Sequence, residues 1–120
     1  MFECLERRWM NYSLDVQDKA VIVRVDGRVD ESTWEQFGAG LGEAVRQAGQ
    51  SGLAQVVIDL SELDYMSSRG LRVLTVAKRE ADQSAISIAL ASPNEVMREI
   101  LAISRYDKLF AITDTIDMKP

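Results

Sequence analysis

The chain has 120 residues, enough for one domain that buries a hydrophobic core without disulfides or metal to staple it. It is 47% hydrophobic and 28% charged, with two prolines and no low-complexity tract, so neither a linker nor a long disordered tail is expected. With 14 Lys and Arg against 19 Asp and Glu, the net charge of −5 argues against binding a nucleic-acid backbone, which needs clustered cations; Arg7–Arg8 is too small a cluster to serve.

Histidine is absent, which excludes Ser-His-Asp and Cys-His catalysis and histidine metal sites. The single cysteine, Cys4, allows no intrachain disulfide and no C-x-x-C pair, and it reads as an incidental thiol. The apolar stretches near the start are short and broken by Glu3, Glu6 and Arg7, unlike a signal peptide, and no run is long enough to span a bilayer. The expected setting is the bacterial cytoplasm, with no direct membrane insertion.

Residues 1–10 have little pattern. Phe2, Leu5 and Trp9 suggest a short amphipathic turn, and residues 1–10 are taken as an extension to a domain covering 11–120. Tyr12, Leu14 and Val16 alternate with polar residues as in a half-buried strand; after the Asp18-Lys19 turn, Ala20 to Val25 forms a second strand and completes a hairpin. Asp26-Gly27 ends that strand. Ser32 as N-cap with Glu35 three residues on predicts a helix, whose inner face is Trp34, Phe37, Leu41, Val45 and Ala48. Gly38, Gly40 and Gly42 each weaken it by about 1 kcal/mol relative to alanine. They fit either a marginal, tolerated helix or close approach of another element.

Ala54 to Leu60 carries the unbroken run Val56-Val57-Ile58, which fits a central strand buried on both faces. After a loop, Ser67 or Ser68 starts a second helix, with Leu71, Leu74, Ala77 or Lys78, and Ala81 along its inner side, widened by Val73 and Val76. Ala85 to Ala91 is a strand. Ser92-Pro93-Asn94-Glu95 reads as N-cap, first-turn proline and capping-box glutamate for a helix that buries Val96, Met97, Ile100 and Leu101. Leu109 to Ile112 is a last short strand. Strands alternating with helices after an initial hairpin predict an α/β domain: a mixed, mostly parallel central sheet of four to five strands with flanking helices.

The segment from Asp59 to Leu74 runs off the end of a central parallel strand into a helix, where α/β domains tend to place their sites. A serine at a helix N-terminus is ordinarily a cap, and Ser67 and Ser68 are explained that way by the physics alone. A phosphate there is also well tolerated, because free backbone N–H groups and the positive end of the helix dipole face it. It would put a charge of roughly −1.5 to −2 on the surface any partner meets.

Three stretches in order resemble the STAS family of anti-sigma factor antagonists over nearly the whole chain. They are Val25-Asp26-Gly27-Arg28-Val29-Asp30; Tyr65-Met66-Ser67-Ser68-Arg69-Gly70-Leu71; and Ala91-Ser92-Pro93-Asn94-Glu95-Val96. The resemblance implies a STAS-like fold and a protein-binding regulator, not an enzyme, that needs no cofactor, the ATP and magnesium belonging to the kinase. The unphosphorylated domain would bind an anti-sigma factor that is often a serine kinase. Phosphorylation of Ser68 (or, as second choice, Ser67) would end that binding, and a phosphatase would restore it. By position, Asp30 matches an acidic residue near the kinase contact and Gly27 a turn glycine; Tyr65, Met66, Ser67, Arg69 and Gly70 complete the expected partner-binding set. This chain departs from much-studied members in having Ser67 in place of Asp and Arg69 in place of Ser or Thr.

Two other readings stay open. The same domain type also serves as an adaptor in lipid-transport assemblies, stress-signalling complexes and two-component outputs, without a sigma factor. An enzyme or small-molecule binder would have to work with Asp26, Asp30, Asp59 and Asp64, which fall at strand ends and turns where Asp is common for structural reasons.

Overall fold

A computed structural model describes residues 9–114. The calls on Phe2, Cys4, Leu5 and Arg7–Arg8, and on the acidic, polar C-terminal end beyond Asp114, lie outside the described residues. The elements are β1 (Met10–Gln17), β2 (Ala20–Val29), α1 (Trp34–Gln50), β3 (Gln55–Met66), α2 (Ser68–Gln83), β4 (Ser87–Ala91), α3 (Glu95–Ile103), a single 3₁₀ turn at Tyr106–Lys108 and β5 (Ala111–Thr113).

The sheet has five strands in the order β1-β2-β3-β4-β5, with β1 antiparallel to β2 and the rest parallel. The expected hairpin is present: Gln17 pairs with Ala20 across a two-residue turn, and Asp18 takes the left-handed φ of 54° that such a turn asks for. Each later strand is added on the same side of the one before it, so right-handed crossovers carry all three helices to one face of the sheet. The main core agrees with this. Val21, Val23, Val25, Val56, Ile58 and Leu90 meet Phe37 and Leu41 of α1, Leu74 and Ala77 of α2, and Met97 and Leu101 of α3. The alternate side chains Ala20, Ile22, Val57 and Ala91 form a small second cluster on the other face. The Val56–Ile58 run is thus buried on both sides, as its lack of alternation predicts.

Several boundaries move. β2 does not stop at Asp26-Gly27, nor β3 at Leu60; the two continue in parallel, Asp26 opposite Glu62, Gly27 opposite Leu63, Arg28 opposite Tyr65 and Val29 opposite Met66. Two register shifts in this stretch absorb the mismatch that makes the sequence look like a turn. Ser32 is not the cap of α1; Thr33 holds that position, and the turn is built by Asp30 instead. Ser92 is not the cap of α3 either. It sits at φ 56°, and Asn94 caps the helix by accepting from the Met97 N–H at 2.9 Å. Val96 is 52% exposed, because it lies about a quarter-turn off the stripe formed by Met97 and Leu101, the buried residues of α3. β4 begins two residues later than predicted, after Ala85 at φ 59°.

Glycines report where elements touch. At Gly27, φ is +107°, and a Cβ would lie 2.1 Å from the Trp9 carbonyl oxygen, which accepts from the Arg28 N–H. At Gly40 the Tyr12 ring sits where a side chain would begin, 3.1 Å from a Cβ. Close approach is therefore the reason for one of the three glycines at 38, 40 and 42. Gly38 has room: a Cβ would meet Val73 methyls at 3.7 Å. Urea unfolding should separate these positions. Gly38→Ala should raise stability by about 0.5–1 kcal/mol through helix propensity, and Gly27→Ala should lower it by about 2 kcal/mol or more through strain and overlap.

Candidate functional site

The site is built where β2, β3 and β4 leave the sheet. Because β2 and β3 stay paired to Val29 and Met66, the turn into α1 and the turn into α2 emerge side by side. The Ser67 N–H donates to the Val29 carbonyl at 2.8 Å, tying the second turn to the first. Gly70 sits one turn into α2, against both strands: a Cβ there would lie 2.5 Å from Met66 Cγ and 2.7 Å from Val29 Cγ1. Only glycine lets α2 start so close to the sheet. A third tie comes from the β4–α3 turn, where Asn94 Nδ2 donates to the Leu63 carbonyl at 2.7 Å while its Oδ1 caps α3.

Asp30 organises the first turn. Its carboxylate accepts from the Ser32 N–H at 3.0 Å, from the Ser32 hydroxyl at 2.9 Å and from Arg28 Nε at 3.1 Å. Its own N–H donates to Thr33 Oγ1 at 2.8 Å, and the Thr33 hydroxyl donates on to the Arg28 carbonyl. Burial penalises the charged carboxylate, but the hydrogen bonds from Ser32, Thr33 and Arg28 outweigh it, and the Asp30 pKa falls below its ordinary value. Asp30 is therefore an ionised clamp near neutrality, unsuited to act there as a general acid.

Two arginines spread over aromatic rings frame the surface. Arg28 lies 4.7 Å from the centroid of the Tyr65 ring, bridging β2 to β3. Arg69 lies 5.2 Å from the centroid of the Trp34 ring and 3.4 Å from Glu31, reaching from α2 back to the first turn. Between them stand the serines. Ser67 is the cap: half-buried and extended, its Oγ accepts from the Gly70 N–H at 3.3 Å. Ser68 is the first residue of α2 and is exposed.

Of the residues the sequence singles out, Asp30, Tyr65, Ser67, Ser68 and Arg69 come together at this end of the sheet. Met66 and Gly70 are in the same place but buried, Met66 at 2% exposure, so they set the spacing of the elements and present no surface. Gly27 lies further back inside β2, against Trp9. Sequence reasoning did not single out Arg28, Glu31, Thr33, Trp34 or Asn94. Asn94 was visible two residues after Ser92 in a capping pattern, whereas the pairing of Arg28 with Tyr65 and of Arg69 with Trp34 carries no signal in sequence. The four aspartates do not converge. Asp59 pairs with Arg24 at 3.9 Å and accepts from the Ser61 N–H, and Asp30 is held in its turn. Among the described residues no three acidic or cysteine side chains form a metal-binding group.

Two outcomes follow from this geometry. Gly70→Ala should cost about 1–3 kcal/mol in thermal or urea unfolding, because neither Met66 nor Val29 can retreat from a packed core. Asp30→Asn should destabilise the domain near neutral pH. A lowered pKa contributes stability that is present above the ordinary carboxylate value and is lost as pH falls through the depressed one. The gap between wild type and Asp30→Asn should therefore be widest above pH 5 and close in acid; a constant gap would show that the Asp30 charge plays no part.

The family model described as the STAS domain matches residues 11–118. BtrV of Bordetella bronchiseptica, whose name makes it a candidate anti-sigma factor antagonist, is 30% identical over 106 residues, covering 88% of each chain. The crystal structure of an anti-sigma factor antagonist from Mycobacterium paratuberculosis superposes with a TM-score of 0.80 at 21% identity, covering 94% of this chain and 93% of that one. The phosphorylated form of the Bacillus cell fate determinant SpoIIAA gives a TM-score of 0.61 at 22% identity, covering 85% and 90%. The two structures share the fold, and the matched span with the 30% identical relative shows that the chain belongs to the STAS domain family.

Proposed function

We propose that this domain is an anti-sigma factor antagonist, a non-catalytic protein-binding module that releases its partner when Ser68 is phosphorylated. The observation that carries the reading is the division of labour between the two serines. Ser67 Oγ is committed to the Gly70 N–H, so its modification would cost α2 its cap, whereas Ser68 is exposed at the first helical position. A hydroxyl displayed there can accept a phosphate while the fold stays intact.

The electrostatics favour the modified state within the domain and disfavour it at an interface. A phosphate on Ser68 sits at the positive end of the α2 dipole, where an anion contributes roughly 0.3–1 kcal/mol. Arg72, one turn on, stands at the spacing at which side chains on a helix meet. A partner that covers this surface must instead desolvate a dianion, at a cost of several kcal/mol per ion unless it supplies a cation. Binding is thus lost without unfolding.

The proposed partners are an anti-sigma factor, with serine-kinase activity of its own or beside it, and a phosphatase that resets Ser68. The names of BtrV and of the Mycobacterium paratuberculosis protein support the first, and the phosphorylated SpoIIAA structure supports the switch. The contact surface would be Tyr65, Ser68, Arg69 and the Asp30 turn, with Gly27, Met66, Ser67 and Gly70 positioning it. The proposed location is the bacterial cytoplasm; no helix among the described residues is long and apolar enough to cross a membrane.

Affinity capture from native cytoplasm with wild type, Ser68→Ala and Ser68→Asp, read by mass spectrometry of partners and phosphosites, tests the proposal. An anti-sigma factor or serine kinase should be captured by the first two and lost with Ser68→Asp. Ser68→Asp should meanwhile leave the unfolding free energy unchanged or raise it by about a few tenths of a kcal/mol. Equal capture by all three, with Ser68 never modified, would make the domain a constitutive adaptor and remove the sigma-factor assignment.

A further inference from the structure

α1 and α2 lie side by side on the sheet, and a groove of about 670 Å³ runs between them. That volume is in the range of small-molecule sites. Gly38 and Gly42 keep the α1 side of the trough low: beyond Gly38 the first atoms met are Val73 methyls, and beyond Gly42 the Arg46 guanidinium, at 3.6 Å. The opposite wall is Val73 and Val76, the latter 42% exposed. From Trp34 to Arg46 the trough follows α1 for about 18 Å.

Its charge is opposite to that of the whole protein. Arg69 and Arg72 stand at the Trp34 end, close to the N-terminus of α2, and Arg46 with Glu80 at the other. Among the described residues Arg46 and Arg72 make no ion pair or hydrogen bond, and the Glu31 partner of Arg69 is itself largely exposed and easily exchanged. An apolar trough ending in guanidinium groups, in a domain of net charge −5, is complementary to a molecule that is apolar along its length and anionic at one end.

We infer that this groove binds an elongated organic acid. The carboxylate is held by Arg69 and Arg72, where planar guanidinium groups offer paired donors and the α2 dipole favours an anion. The apolar body lies along Gly38, Gly42, Val73 and Val76, and Trp34 covers the carboxylate end. The inference does not rest on the Ser68 switch, although the two share Arg69, Arg72 and the N-terminal end of α2, so a phosphate on Ser68 would compete with the carboxylate.

Laurate is the probe, and Trp34 is a built-in reporter once Trp9→Phe has removed the other tryptophan. With the full chain and sub-micellar amphiphile, laurate should change Trp34 emission saturably and more weakly as salt is raised. Dodecyltrimethylammonium, with the same chain and the opposite charge, should not. Arg72→Glu, at an exposed position, should weaken laurate binding at least about tenfold. Gly42→Leu should fill the trough and abolish binding while leaving stability unchanged or higher. The assignment is overturned by no saturable response to laurate, by equal response to both amphiphiles, or by wild-type affinity in both variants. It is also overturned if the groove ignores laurate but takes a Glu-rich amphipathic peptide, because the surface then belongs to a protein partner.

Discussion

The constraint on which the molecule depends is the parallel pairing of β2 with β3 beyond the helix layer, out to Val29 and Met66. Without it, the turns into α1 and α2 would leave the sheet separately. With it, the two turns are locked together by a backbone bond from Ser67 to Val29 and by Gly70 packed against both strand ends. Two other site contacts bridge elements that this pairing has already brought within reach, Arg28 over Tyr65 and Arg69 to Glu31 and Trp34, while β4 beside β3 brings Asn94 to Leu63.

That arrangement suits the proposed switch, in which a surface changes its charge and keeps its shape. The frame is rigid because its polar groups are committed: Asp30 to Arg28, Ser32 and Thr33, Ser67 to Gly70, and Asn94 to both a carbonyl and a helix end. Ser68 projects from the frame at a helix start, where negative charge is favoured. The cap and the displayed hydroxyl fall on consecutive residues, so the outer one can be altered without melting the first turn of α2.

The same helices present two different surfaces. At their N-terminal ends, charge and aromatic rings surround Ser68; between them, small residues and valines line a trough edged by arginine. The α1 glycines belong to both stories. Gly40 admits the Tyr12 ring from β1, while Gly38 and Gly42 leave the trough open. A helix with glycine at 38, 40 and 42, and again at 49, is weak by propensity alone, and among the first three only Gly40 is required by close packing.

How much was legible can be judged residue by residue. Alternation at Tyr12, Leu14 and Val16, the unbroken Val56–Ile58 run and the helical spacing of Phe37, Leu41 and Val45 are local patterns, so the order of elements, the hairpin and the mixed parallel sheet could be read from them. The match of Ser67-Ser68-Arg69-Gly70-Leu71 to a family pattern pointed to this end of the sheet as the candidate site. What could not be read depends on partners distant in sequence. Asp26-Gly27 looks like a strand end because Gly and Asp usually are one, and only pairing with Glu62 and Leu63 carries the strand through. Ser32 and Ser92 look like caps as good as Thr33 and Asn94. The choice falls to Asp30, which takes up the Ser32 groups, and to Leu63, whose carbonyl captures Asn94. Local propensity thus determined which segments are strands and helices, whereas where they begin, and which serine caps and which is displayed, was decided by hydrogen bonds and packing between elements that meet only in the folded chain.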